Sequence, residues 1–269
     1  MRSEYSAYAA DFYINQRLNL KMDLSMRRDT VLSLFDRVRR DIPEMDRFKR
    51  YTDELALESR PASDHGLTAS SHGGASGGAQ QWVAVRKTSV RSGSVNPETP
   101  EDGYRLHRLA LESAPYYLDI SPLDIDHLEV LYGFDMMASG NHDGIVFNAL
   151  HAGSPLAQLV DGLQVKSDHS LRLVDCQPLI GLSLSDDSEL QAHFEVKTRS
   201  GNRQGRPGGD FREDPISVYL IVRKYGPFDK VKDLETVFDQ LTAKGEDLLD
   251  SVVLPRLLSP IRDAIVTGG

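Results

Sequence analysis

Leu18, Leu20, Met22, Leu24 and Met26 alternate with Asn19, Lys21, Asp23 and Ser25, the period of two that a half-buried strand imposes. The period then changes. Val31, Leu34, Phe35, Val38 and Ile42 are spaced to line one face of a helix. Asp29 stands where its N-cap belongs, and Pro43 predicts a second short helix through Phe48. Alternation returns from Asp53 to Ser59. Residues 60–80, with Gly73-Gly74 and Gly77-Gly78, carry almost nothing large and apolar and are expected to form a mobile loop between two strands. Gln81–Val90 predicts the strand that follows. Thr99-Pro100-Glu101-Asp102 combines a cap residue, a proline at the first helical position and two acids at the positive helix end. The helix it opens should run to about Glu112 and stop before Pro115.

Further along, Tyr116–Ile120 and Leu128–Met137 predict strands. Ser139–Asp143 has turn and cap chemistry ahead of a helix bearing Ile145, Val146 and Leu150, and Ser154-Pro155 opens another with Leu156 and Leu159. Leu171–Leu184, Leu190–Thr198 and Ile216–Lys224 predict strands, with a mobile loop at 200–214 before the last. Leu234, Val237, Phe238, Leu241, Leu248 and Val252 mark a long helical stripe. Gly245 falls in phase with it, where another backbone could approach closely. Pro255 and Pro260 are expected to kink or end that helix.

One pattern repeats. Trp82-Val83-Ala84-Val85-Arg86-Lys87 returns 137 residues later as Tyr219-Leu220-Ile221-Val222-Arg223-Lys224. Each copy follows a Gly-rich stretch, which follows a short strand-like run, Glu54–Glu58 in one case and Gln191–Glu195 in the other. The fold expected is α+β: an internally duplicated strand-helix-strand-strand-helix unit with antiparallel sheets, helices on the outer faces and a long C-terminal helix. The halves are 1–115 and 116–269, the second with an extra strand around Val174–Leu184.

Composition narrows the function. The 269 residues are 40% hydrophobic and 26% charged, the balance of a soluble globular protein. Thirty-one basic residues against forty acidic give a net charge of −9, which argues against wide nucleic-acid contact. The stretch Arg27–Arg50 is too mixed in sign to form a phosphate-binding stripe. A single cysteine, Cys176, excludes an internal disulfide framework and reads as a buried thiol in a reducing compartment. Met1–Tyr5 lacks the apolar region of a signal peptide, and no apolar run is long enough to span a membrane. The expectation is a cytoplasmic protein with no membrane partner.

The sharpest chemical motif is Gly140-Asn141-His142-Asp143-Gly144. It resembles one block of the calcineurin-like metallophosphoesterases, and the resemblance implies that Asn141 and His142, with Asp143, would help hold two metal ions. It covers five residues: Asp126 and His127 are adjacent instead of forming Asp-x-His, and the later histidine blocks are absent. The competing reading is a helix cap, with Asn141 or Asp143 accepting from free backbone N–H groups. No pair among His127, His142, His151 and His169 has the spacing of a helical metal site, and no serine lies in a nucleophile elbow. The repeated pairs Arg86-Lys87 and Arg223-Lys224 are the remaining candidates. If their strands lie near a pseudo-twofold axis, the guanidiniums could converge on a carboxylate or phosphate, with Glu58 and Glu195 as cross-strand partners. Leu257, Leu258, Ile261 and Ile265 suggest apolar surface for a partner or a second subunit. These features point to a non-enzymatic ligand-binding or protein-assembly module without a cofactor, taking a small anionic ligand or a protein partner, or forming a homo-oligomer. The alternative is a metal-dependent, phosphoesterase-like hydrolase centred on Asn141, His142 and Asp143.

Overall fold

In the computed structural model, which describes residues 4–60, 79–164, 173–198 and 215–267, the alternating segments join into a single antiparallel sheet of nine strands. The expected loops at 60–80 and 200–214 fall almost wholly outside the described residues. The strands are β1 (Asp11–Leu20), β2 (Met45–Arg50), β3 (Glu54–Ser59), β4 (Gln80–Arg86), β5 (Ser89–Val95), β6 (Ile125–Met136), β7 (Leu179–Ser183), β8 (Leu190–Lys197) and β9 (Ile216–Tyr225). Their order across the sheet is β2-β3-β4-β5-β1-β6-β9-β8-β7. The helices are α1 (Arg28–Asp41), α2 (Pro100–Leu118), α3 (His142–His151), α4 (Pro155–Gln164), α5 (Asp233–Leu248) and α6 (Ser259–Thr267). The expected plural sheets, with helices outside them, are thus one sheet with a helical layer on one side.

The core lies between that layer and the sheet. Phe12, Ile14 and Leu18 of β1, Leu128, Val130, Tyr132 and Phe134 of β6, and Val218, Leu220 and Val222 of β9 have no exposure. They meet Leu106 of α2 and Phe238 and Leu241 of α5, also fully buried. Each such side chain contributes roughly 1.5–3 kcal/mol relative to exposure. β1 and β6 form the seam between the two halves of the chain, paired from Asp11↔Asp135 to Asn19↔His127. One hydrophobic cluster spans both halves.

Several local expectations are corrected. Met22–Met26 lie beyond the end of β1, whose longer part, Asp11–Arg17, precedes the alternation read in the sequence. The helix expected after Pro43 is β2. A bulge between Met45 and Arg47 shifts its phase, so Met45 is buried and Phe48, three positions on, meets Phe35 of α1 at 6.0 Å between ring centroids. A bulged strand can mimic helical spacing in this way. The segment Gln81–Val90 is a hairpin of two strands, β4 and β5, turning at Lys87-Thr88. The helix expected to stop before Pro115 continues to Leu118, with Ala114, Pro115 and Leu118 buried, and ends at Asp119 in the left-handed region (φ 55°). The strand expected at Tyr116–Ile120 therefore does not form. The long stripe near the C-terminus is continuous helix from Asp233 to Thr267, and Pro255 sits inside ten residues of wide i→i+5 turns. Those wider turns accommodate the proline, which would break a regular α-helix. Leu258 and Ile261 are fully buried, and Leu257 and Ile265 are partly buried against the same core.

Two cap expectations divide. Thr99 and Asp102 exchange both bonds of a capping box, with Asp102 N–H donating to Thr99 Oγ1 at 3.2 Å and Thr99 N–H to Asp102 Oδ2 at 3.0 Å. Thr99→Ala should cost about 1 kcal/mol in denaturant unfolding. Asp29 is not a cap: α1 begins at Arg28, and Asp29 lies in its first turn beside Arg27.

Candidate functional site

Among the described residues, no helix covers the second face of the sheet, and the side chains on it are dictated by register. Across the middle run Glu58, Trp82, Gly93, Asn15, Leu131, Ile221, His193 and Gly181, one from each strand from β3 to β7. Beside them run Tyr13, Gly133, Tyr219 and Glu195. Gly93 and Gly133 leave room for rings. A Cβ at Gly93 would lie 2.3 Å from the Trp82 indole, and one at Gly133 would lie 2.2 Å from the Tyr13 ring. Tyr13 and Tyr219 meet edge to face at 6.3 Å across Gly133, and Lys197 lies over Tyr219 at 5.2 Å. This is an aromatic band on a sheet face that water reaches.

The neighbouring row is charged: Arg91 of β5, Arg17 of β1, Glu129 of β6 and Arg223 of β9. Arg223 Nη2 donates to Glu129 Oε2 at 2.6 Å, whereas Arg17 is 3.8 Å from the same carboxylate. Burial alone would raise the Glu129 pKa, but the His127 and Arg223 contacts outweigh it and hold the carboxyl below its usual range. Arg91 stacks over Trp82 at 5.3 Å and donates to Glu54 at 3.2 Å. Burial, against the pull of Glu54, lowers its pKa, and nearby Arg86 and Arg17 add to the lowering. Arg17 and Arg91 are directly opposed in register across adjacent strands, like charges that Glu129 and Glu54 on either side offset in part.

The predicted residues can now be placed. Arg86 and Arg223 share this open face, but β5, β1 and β6 separate their strands, a distance of about 19 Å at ordinary strand spacing. They do not converge. Their partners are Glu54, at 2.5 Å from Arg86, and Glu129. Glu58 and Glu195 instead stand opposite the aromatics Trp82 and Tyr219. Lys87 is exposed in the β4–β5 turn, and Lys224 pairs with Glu189. The repeat is thus a repeated hairpin, β3–β4 and β8–β9, with one register. Its place differs, because β9 pairs directly with β6 while β5 intervenes between β4 and β1.

Asn141, His142 and Asp143 do not share a focus. Asn141 is the N-cap residue of α3, but its side chain donates to the Leu173 carbonyl at 3.1 Å instead of capping the helix. His142 Nε2 contacts the Ala138 carbonyl at 3.1 Å. Asp143 accepts from Thr198 Oγ1 at 2.7 Å and from Cys176 N–H at 2.9 Å, tying the start of α3 to β8 and to the irregular segment before β7. Burial and the Asp143 charge raise the Cys176 pKa, which keeps the thiol protonated. No group of three or more potential metal-ligating side chains gathers among the described residues.

Two histidine pairs were not anticipated. His107 Nδ1 lies 2.7 Å from Ser92 Oγ, but both residues have no exposure, so no substrate can reach them. On the open face, His127 contacts Asp126 at 2.8 Å and Asn19 at 2.5 Å, and no hydroxyl or thiol among the described residues is bonded to it. Two adjoining cavities of about 270 and 390 Å³ along α2, both lined by Asp41, Asp102 and Arg105, lie at or below the lower end of the usual size of a ligand pocket. No protein-family model matches the chain, and no curated protein is significantly similar to it. No helix among the described residues is long and apolar enough to cross a membrane.

Proposed function

We propose that the chain is a binding module whose working surface is the open sheet face, and that its partner is an extended protein segment carrying carboxylates. The observation that carries this reading is the opposed pair Arg17 and Arg91, flanked by the aromatic band of Trp82, Tyr13 and Tyr219. A partner carboxylate between the two guanidiniums relieves their repulsion, and guanidinium geometry suits bidentate capture. The rings offer contact area at low conformational cost. A face nine strands wide, roughly 38 Å at ordinary spacing, suits a polymer better than a metabolite. Nucleic acid is the weaker candidate, because the net charge of −9 opposes a polyanion and Glu54 and Glu129 sit among the arginines. The scaffold itself we take to be a duplicated unit arranged about the β1–β6 seam, supported by the repeated hairpins and by α2 and α5 following β5 and β9. The hydrolase reading on Asn141, His142 and Asp143 has less support, since Asp143 already accepts from Thr198 and Cys176.

The test is thermal unfolding at low salt with a short extended peptide bearing one glutamate among apolar residues as the probe. Wild type should gain several degrees, and Arg17→Gln should abolish the gain. Without the probe, Arg17→Gln should be neutral or stabilising by about 0.5 kcal/mol, because it removes a like-charge opposition. An unchanged response in Arg17→Gln, or stronger stabilisation by a single-stranded oligonucleotide, would overturn the assignment.

A further inference from the structure

The two edges of the sheet are treated differently by the sequence. β2, at one edge, reads Met-Asp-Arg-Phe-Lys-Arg, with four charges in six residues. Charge of this kind blocks another strand from adding to an edge. β7, at the other edge, reads Leu-Ile-Gly-Leu-Ser, carries no charge, and is exposed at all five positions. Leu179, Ile180 and Leu182 are 63%, 57% and 49% exposed. A second apolar surface lies shortly before it in the chain. α4 buries none of its described residues, and Leu156, Leu159 and Leu163, spaced along one helix face, are 51%, 59% and 51% exposed.

We infer that two copies of the chain pair edge to edge through β7, with the leucine stripe of α4 covered in the same assembly. The occupant is a second copy because β7 is self-complementary. An antiparallel pairing about Gly181 sets Ile180 opposite Leu182 of the second copy, and Leu182 opposite its Ile180. Both lie on the helical side of the sheet, where they form a four-residue apolar cluster. Leu179 then faces Ser183, and no like charges are opposed within the strand. Area argues the same way. Six half-exposed aliphatic side chains offer roughly 100 Å² each, so the two copies together cover about 1,200 Å², the lower bound for a stable interface. The α4 stripe supplies half of that area, so the inference requires α4 and β7 to be covered together. The pairing turns two nine-stranded sheets into one continuous sheet and places both open faces on one surface, independently of what those faces bind.

Sedimentation equilibrium on the full chain provides the test. At tens of micromolar the wild type should sediment at twice the 29.9 kDa chain mass. Ile180→Lys and Leu182→Glu should each sediment as single chains with unchanged circular dichroism, since both positions are already half-exposed. Mixed in equal amounts, the two variants should recover the two-chain mass, because the pairing sets position 180 of one against position 182 of the other. Leu159→Asp should weaken the wild-type association at least tenfold. A wild type at single-chain mass up to several hundred micromolar overturns the inference. So does a two-chain species that survives both β7 substitutions, or a mixture that stays dissociated.

Discussion

Gly245→Ala should destabilise the protein by about 2–3 kcal/mol, where helix propensity alone predicts a gain of about 1 kcal/mol. Gly245 lies in the interior of α5, and a Cβ there would stand 2.4 Å from Cε2 of Tyr132 and 2.8 Å from its hydroxyl. That ring cannot step aside. Tyr132 has no exposure, its hydroxyl meets that of Tyr104 at 2.8 Å, and Tyr104 in turn donates to Glu246 at 2.9 Å. Burial raises the pKa of both tyrosines, so they remain neutral and hydrogen-bonded throughout the physiological range. Calorimetry should show a fall in melting temperature of roughly 5–10 °C. Combining Gly245→Ala with Tyr132→Leu should cost less than the sum of the two single changes, because the second substitution makes the room the first requires.

Acid should weaken the fold through His107 well before the carboxylates titrate. Complete burial pushes the imidazole pKa down to about 3, against the pull of a backbone contact at Ile14 and with help from the nearby Arg108 charge. The unfolded chain binds that proton near pH 6.5, so the neutral histidine contributes its full stability above about pH 6.5 and loses it as pH falls toward 3. At pH 4 the loss is roughly 3 kcal/mol, at about 1.4 kcal/mol per pH unit. Glu129, with its lowered pKa, acts in the same direction, but only below the ordinary carboxylate range. His193, lowered by burial and by Arg223, adds a smaller part in the histidine window. Urea titrations between pH 7 and 4.5 should therefore show a steep slope in wild type, a flatter one in His107→Gln and little change in His193→Gln. An equal slope in wild type and His107→Gln would refute the assignment to His107.

The periodic elements were legible where one face of the segment is buried. β3, β8, β9, α1 and the C-terminal stripe could all be read from spacing, because their alternation or helical phase has a core to answer to. The misreadings share a different physics. The Lys87-Thr88 turn contains no glycine, proline or asparagine, so Val85 and Val90 on either side of it read as one strand. With β5 missed, β4 appeared to occupy the place of β9. β1 carries Tyr13, Asn15 and Arg17 on the face away from the helices and Gln16 among its core residues, which hides its first half from a hydropathy count. Of the candidate site, Arg86 and Arg223 were visible as chemistry, but their separation was not, because it depends on strand order. Arg17 and Arg91 lie 74 residues apart in sequence, and only the β1–β5 register makes them neighbours.

The seam between β1 and β6 also sets a timetable for synthesis. Asp11 waits for Asp135, so at ribosomal speeds of 5–20 residues per second the first strand emerges about 6–25 s before its neighbour on that side. During that interval β1 has a bare backbone edge and Phe12 lacks the Phe134 ring that later packs against it at 5.0 Å. The nascent chain thus carries β1 with one edge unpaired until β6 has been synthesised.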